Sequence, residues 1–105
     1  MLKIIVTTRN GVEQEIEGQI GHTLMEAIRE GGIYEIQALC GGSCSCATCQ
    51  IYIDEEFLNY LTPISKDENE LLESSVHRKA NSRLSCQVNL TENLVGLRVT
   101  VSPED

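Results

Sequence analysis

The chain has 105 residues, the size of one domain, and 41% of them are apolar. Its net charge of −8 at pH 7 predicts a surface that repels nucleic acid and anionic lipid and suits basic protein partners. No segment approaches the roughly 18 to 20 apolar residues that a membrane span needs, and the N-terminus lacks the features of a signal peptide. We therefore expect a cytoplasmic protein with no membrane or nucleic-acid partner.

A β-hairpin and a helix are predicted in the first third of the chain. Residues 2–8 and 13–20 are typical of strands, and "RNG" between them is a turn signal. Thr23 and Glu26 then form a T-x-x-E capping box. Apolar residues recur at helical spacing from Leu24, and two glycines from Gly31 end the helix.

The remaining elements are predicted downstream of a cysteine-rich loop. "QIYI", residues 50–53, is typical of a short strand. Ser65 and Glu68 form a second capping box that opens a helix through about residue 74, and we expect the Glu68 carboxylate to complete that box. Residues 83–90 and 97–102 are predicted as closing strands. The sequence therefore predicts a small α+β fold.

Cysteine dominates the segment "CGGSCSCATC", which runs from Cys40 to Cys49, and a fifth cysteine, Cys86, lies far downstream. Stable disulfides are rare in a reducing compartment. A structural zinc site favours paired C-x2-C units, and here only Cys46 and Cys49 form one. A thioredoxin-type C-x-x-C lacks its usual strand-to-helix context, and unrelated thiols would rarely cluster so closely. An iron–sulfur cluster needs four thiolates, which one loop and one distant residue can supply.

"CGGSCSCATC" followed by "RLSCQ" resembles the 2Fe-2S ferredoxins of the adrenodoxin/putidaredoxin type. Their pattern is C-x5-C-x2-C with a fourth cysteine about 36 residues further on. The resemblance implies a β-grasp fold, a mixed sheet with a helix packed across it, as a single domain over residues 1–105. It also implies that a 2Fe-2S cluster is bound by four cysteines: Cys40, Cys46, Cys49 and Cys86.

Cys44 is left over by this assignment, and the simplest interpretation is a small, partly buried thiol. Ferredoxins of iron–sulfur cluster assembly often carry a cysteine at this position, whereas Gly41, Gly42 and Ser43 look more like the group that serves oxygenases. Gln50 stands where relatives often have a histidine. His77 follows the second predicted helix, at a position that in this family tends to bridge that helix region to the cysteine loop.

Residues 54–73 hold seven acids and one base, Lys66. On the predicted helix, three of these acids fall on one outward arc: Asp67, Glu70 and Glu73. Leu72 points the opposite way, into the core. The acidic run could serve solubility alone, but the resemblance implies that this helix docks both the reductase and the oxygenase. We call these three residues the acidic arc.

The function implied by the resemblance is that of a monomeric one-electron carrier, not an enzyme. It would take electrons from an NAD(P)H-dependent, FAD-containing ferredoxin reductase and pass them to a bacterial cytochrome P-450 monooxygenase. The alternatives are electron donation to iron–sulfur cluster assembly, the ferredoxin role in a ring-hydroxylating dioxygenase, and a structural zinc module.

Overall fold

The fold is built around one mixed sheet, seen in a computed structural model that describes residues 2–33 and 50–103. Its five strands are β1 (Leu2–Thr7), β2 (Glu13–Gly18), β3 (Gln50–Ile53), β4 (Ser82–Leu84) and β5 (Leu97–Val101). They lie in the order β2-β1-β5-β3-β4. β1 and β5 run parallel, and the other neighbouring pairs are antiparallel. Within these described ranges, two α-helices accompany the sheet, α1 (Leu24–Glu30) and α2 (Lys66–Glu73).

The predicted hairpin is present as β1 and β2, with β1 ending one residue and β2 two residues earlier than expected. Leu2, Ile4 and Val6 alternate with more exposed neighbours and face the core, as a pleated strand requires. At the turn, the Gly11 N–H donates to the Thr8 carbonyl at 2.9 Å. Gly11 has a φ of +83°, which glycine adopts without steric cost.

Helix α1 packs across the sheet beside β2. Its predicted start is confirmed, because the Thr23 hydroxyl accepts a hydrogen bond from the Glu26 N–H at 3.2 Å. Leu24, Ala27 and Ile28 form its buried face. A mixed sheet with a helix packed across it confirms the predicted α+β, β-grasp architecture.

Helix α2 begins and ends close to the predicted residues. The Ser65 hydroxyl accepts a hydrogen bond from the Glu68 N–H at 3.1 Å, so Ser65 is the N-cap. Leu72 is fully buried, as expected. The Glu68 side chain, however, does not turn back to complete a capping box, and that prediction is wrong; the carboxylate is buried and bonded to Arg83 instead.

The predicted strand over residues 83–90 is only partly present. β4 ends at Leu84, and the backbone then forms a 3-10 turn over Ser85–Gln87. Beyond that turn, the Val88 carbonyl accepts a hydrogen bond from the Leu24 N–H at 2.8 Å, so the chain pairs with the start of α1. The 3-10 turn places Cys86 between the end of β4 and α1. A further 3-10 helix over Glu55–Tyr60 was not predicted.

In the parts of the chain that the structure describes, no helix is long and apolar enough to cross a membrane.

Candidate metal centre and docking helix

Cys86 is the one predicted cluster ligand that falls within the described residues. Its side chain is buried, with only 6% of the residue exposed. The Gln87 amide Nε2 lies 3.6 Å from the Cys86 sulfur, within hydrogen-bonding distance for a sulfur acceptor. An N–H donor directed at sulfur stabilises negative charge on a thiolate. This environment therefore suits a metal-ligating cysteine.

Cys40, Cys46 and Cys49, the other three predicted ligands, lie in residues 34–49, outside the described part of the chain, as does Cys44. Both residues that flank this segment are buried: Ile33 after α1 is 3% exposed, and Gln50 at the start of β3 is 2% exposed. Within residues 2–33 and 50–103, no group of three or more His, Cys, Asp or Glu side chains could hold a metal ion. The four-cysteine ligand set therefore stays a prediction.

Gln50 joins the first residue after the cysteine loop to the segment that follows helix α2. Its amide Nε2 donates to the Ser75 hydroxyl at 2.8 Å, and the Ser75 hydroxyl oxygen also accepts from the His77 N–H at 3.2 Å. The Gln50 carbonyl accepts from the Ser102 hydroxyl at 3.0 Å. Sequence reasoning missed this role, because it noted only that Gln50 is not histidine. The expected bridge from His77 to the cysteine loop involves residues 34–49, which lie outside the described residues, so it stays a prediction.

Glu68 and Arg83 form a buried ion pair between α2 and β4. Their side chains are only 2% and 6% exposed, and Arg83 Nε donates to Glu68 Oε2 at 2.8 Å. The same carboxylate oxygen accepts from the Leu84 N–H at 2.9 Å, and Arg83 Nη2 donates to Oε1 at 3.2 Å. Arg83 also reaches the Thr62 carbonyl at 2.8 Å. These contacts fix the position of α2 relative to the strand that leads to Cys86.

The acidic arc lies on the solvent side of α2. Asp67, Glu70 and Glu73 are all exposed, as predicted, while Leu72 on the opposite side is fully buried. Glu68 does not add to this negative surface, because its charge is buried against Arg83. The helix therefore presents negative charge to solvent on one side and is held to the core on the other.

These features together define the class of protein. A sequence profile of the 2Fe-2S iron-sulfur cluster binding domain matches residues 7–91. The chain belongs to this family: it binds a 2Fe-2S cluster, and it is an electron-transfer protein rather than an enzyme. The buried Cys86 thiol with its amide donor fits such a cluster. When bound, the cluster supplies reversible uptake of a single electron.

Known relatives narrow the family to the putidaredoxin type. Ferredoxin CarAc of Sphingomonas sp. is 43% identical over 96 residues, covering 91% of this chain and 88% of that protein. Putidaredoxin of Pseudomonas putida is 38% identical over 102 residues, covering 96% and 95%. The solved structure of the covalent putidaredoxin reductase–putidaredoxin complex contains a chain that matches with a TM-score of 0.91 at 39% identity, covering 97% of this chain and 99% of that one. The chain is thus a putidaredoxin-like 2Fe-2S electron carrier.

Proposed function

We propose that this protein carries single electrons from an NAD(P)H-dependent, FAD-containing ferredoxin reductase to a bacterial cytochrome P-450 monooxygenase. The observation that carries the proposal is the acidic arc, exposed on a helix whose opposite side is fixed to the strand that leads to Cys86. The reductase is supported by the similarity to putidaredoxin in its covalent complex with putidaredoxin reductase. The oxygenase is supported by the resemblance of the cysteine motif to the adrenodoxin/putidaredoxin type.

The acidic arc can attract a partner with a basic surface before contact is made. Asp67, Glu70 and Glu73 are three residues apart, so they lie along one side of α2. Attraction between such exposed charges mainly raises the association rate, and salt weakens it, with a Debye length of about 8 Å at physiological ionic strength. A carrier that must bind and leave two partners in turn benefits from fast, salt-sensitive docking.

The cluster ligands in this proposal are Cys40, Cys46, Cys49 and Cys86, with Cys44 outside the set. All four must be kept as reduced thiols for ligation, which suits action in the cytoplasm. The carrier acts as a monomer, so that a single acidic arc serves each partner in turn.

Charge reversal on α2 tests the docking surface. We expect Asp67→Lys and Glu70→Lys to slow electron transfer from a purified reductase roughly tenfold at low ionic strength and to flatten its salt dependence, because they remove part of the steering field. Stopped-flow measurement at several salt concentrations gives both quantities. The visible cluster spectrum should stay unchanged.

Glu17→Lys is the matched control, because it makes the same charge change at an exposed position on β2, the edge strand opposite β4. If the two α2 variants transfer electrons as fast as the wild type and Glu17→Lys at low salt, this helix is not the docking surface. Reconstitution of the wild type with a P-450, a ring-hydroxylating dioxygenase and a cluster-assembly system from the same genome then identifies the acceptor. Turnover with either of the last two, and none with the P-450, would contradict the proposed acceptor.

A further inference from the structure

Positive charge lies directly beside the acidic arc, in the segment that follows helix α2. Arg78 Nη2 donates to Asn69 Oδ1 at 2.7 Å, and Asn69 Nδ2 donates to Glu73 Oε1 at 3.2 Å. One neutral amide therefore separates the Arg78 guanidinium from the carboxylate of Glu73, a member of the acidic arc. The amide gives each group a hydrogen bond, and the two charges form no salt bridge with each other.

Lys79 adds a second positive charge next to Arg78. Its side chain is exposed, and Nζ lies 4.5 Å from the centre of the Tyr52 ring, whose π face attracts a cation but does not neutralise it. Tyr52 is fixed in turn, because its hydroxyl donates to the His77 carbonyl at 2.6 Å. In the described parts of the chain, neither Arg78 nor Lys79 forms an ion pair with a carboxylate. Neutral contacts therefore hold both cations in place.

Arg78 and Lys79 line a groove of about 930 Å³ between the segment after α2 and the turn that joins β1 and β2. The groove is large enough to admit side chains of another protein. Among its described lining residues, Asp54 carries the negative charge, and it forms an ion pair with neither of these two cations. The side of the groove next to α2 therefore stays positive.

Val76 supplies apolar surface between the two charged regions. It is 82% exposed, the highest value among the large apolar side chains that the structure describes, and it lines the groove. In the sequence it lies between Glu73 of the acidic arc and Arg78. A single exposed valine is ordinary, but an apolar centre with charged residues around it is typical of a protein–protein interface.

We propose that the acidic arc, Val76 and the pair Arg78 and Lys79 form one docking surface of two signs, and that the ferredoxin reductase it fits carries a carboxylate beside its basic patch. The basic patch faces the acidic arc, and the reductase carboxylate enters the groove against Arg78 and Lys79. This inference rests on the proposed function and adds the orientation of the partner. A surface of one sign attracts a basic partner in many orientations, whereas adjacent charges of opposite sign favour one orientation and repel the reversed one.

Charge reversal at Lys79 tests the proposal through the sign of its effect. Stopped-flow reduction by the purified ferredoxin reductase of the same genome, at low ionic strength, gives the association rate. Lys79→Glu should slow reduction roughly 2- to 10-fold, because an attraction becomes a repulsion. Lys79→Gln, which only removes the charge, should slow it by a smaller factor. Lys3→Glu is the matched control: it makes the same change in net charge at an exposed position on β1, and it should react at least as fast as the wild type.

Val76→Ser tests the apolar centre of the surface. Isothermal titration calorimetry with the same reductase should show a Kd raised roughly 3- to 10-fold, because a buried valine side chain is lost from the contact. The factor should be similar at low and high salt, since salt does not screen an apolar contact. An unchanged Kd would exclude Val76 and overturn the proposed surface.

Carbodiimide coupling identifies the reductase carboxylate without any electron transfer, because it joins an amine to a carboxylate only when the two are in contact. In the complex of the cluster-bound protein with the reductase, peptide mapping should find Lys79 joined to an Asp or Glu of the reductase, and Lys3 not joined to it. Replacing that reductase residue with lysine should bring the rate of Lys79→Glu back to within about twofold of the wild-type pair. Coupled peptides that lack Lys79 would overturn the proposal.

A uniformly basic partner gives the opposite sign: Lys79→Glu would then react as fast as Lys3→Glu, and the proposal would be overturned. If Asp67→Lys slows transfer and Lys79→Glu does not, the docking helix stands and only the surface of two signs is wrong. If Lys79→Glu alone slows transfer, the acidic arc is not part of the surface, and the assignment is equally wrong. A reductase that does not reduce the wild type would contradict the proposed function, and this inference with it.

Discussion

Replacing Glu68 with glutamine would leave the Arg83 guanidinium buried without a countercharge. The Arg83 side chain is 6% exposed, so water cannot take over from the lost carboxylate. The carboxylate accepts three hydrogen bonds, two from Arg83 and one from the Leu84 N–H. Glutamine keeps one acceptor oxygen but directs an NH2 group at a donor. The shape is conserved, and the charge balance is lost.

The expected cost is large for a domain of this size. Removing one partner of a buried ion pair costs about 3–5 kcal/mol, because the other charge stays buried. A domain is stable by only about 5–15 kcal/mol in total. Each kcal/mol lowers the melting midpoint of a small domain by roughly 4–8 °C. We therefore expect Glu68→Gln to melt more than about 10 °C below the wild type.

Thermal unfolding of the cluster-bound protein measures this difference, followed by far-UV circular dichroism and by the visible absorption of the cluster. All variants must be heated at one scan rate, because loss of the cluster makes unfolding irreversible. Glu70→Gln is the matched control: it makes the same chemical change on the exposed side of the same helix. Its effect should stay within about 0.5 kcal/mol.

Equal midpoints for Glu68→Gln and Glu70→Gln would refute the reasoning, since they would show that Arg83 finds another partner or water. The double variant Glu68→Met/Arg83→Met provides a further check. It removes both charges together, so it should recover much of the stability lost in Glu68→Gln.

Two other predictions concern the cluster and the core. Cys86→Ser should lose the cluster, because a hydroxyl is a poor iron ligand, whereas Cys44→Ser should retain iron and acid-labile sulfide in equal amounts. A Cys44→Ser protein without cluster, beside a Cys86→Ser protein that keeps it, would contradict the ligand assignment. Gly18→Ala should lower the free energy of unfolding by about 1–3 kcal/mol through overpacking, because an added Cβ would lie 2.5 Å from Leu90 Cδ1 and 2.9 Å from Ile4 Cδ1. Chemical denaturation measures this loss, and an unchanged midpoint would show that the side chains around Gly18 can move aside.

The helix starts were predictable because an N-cap is a local device. Thr23 and Ser65 each accept a hydrogen bond from the N–H three residues later, and both partners can be read directly from the sequence. The Glu68 carboxylate could not be placed in this way. Its partner, Arg83, lies 15 residues further along the chain, and only the packing of α2 against β4 brings them together.

The segment after β4 shows why an alternating pattern is not sufficient to predict a strand. Leu84, Cys86, Val88 and Leu90 are all buried, but Ser85 between the first two is buried as well. Hydrogen bonding, however, decides whether a segment is a strand. Here the backbone hydrogen bonds of the sheet end at Leu84, a 3-10 turn follows, and the Val88 carbonyl then bonds to the start of α1.

The cysteine spacing identified the family. The contact between Gln50 and Ser75 joins residues 25 positions apart and has no sequence signature.

The central position of β5 affects how this protein is made. β5 is the last described strand in chain order, yet it lies between β1 and β3 and connects the β2-β1 hairpin to the β3-β4 pair. Chains emerge from the ribosome N-terminus first, and contacts between distant residues form slowly. The sheet therefore stays divided into two halves until residues 97–101 have been synthesised. Cys86 follows β4 and packs against α1, which lies on β2 in the other half. We therefore expect the buried environment of Cys86 to form fully only after β5 has joined the two halves.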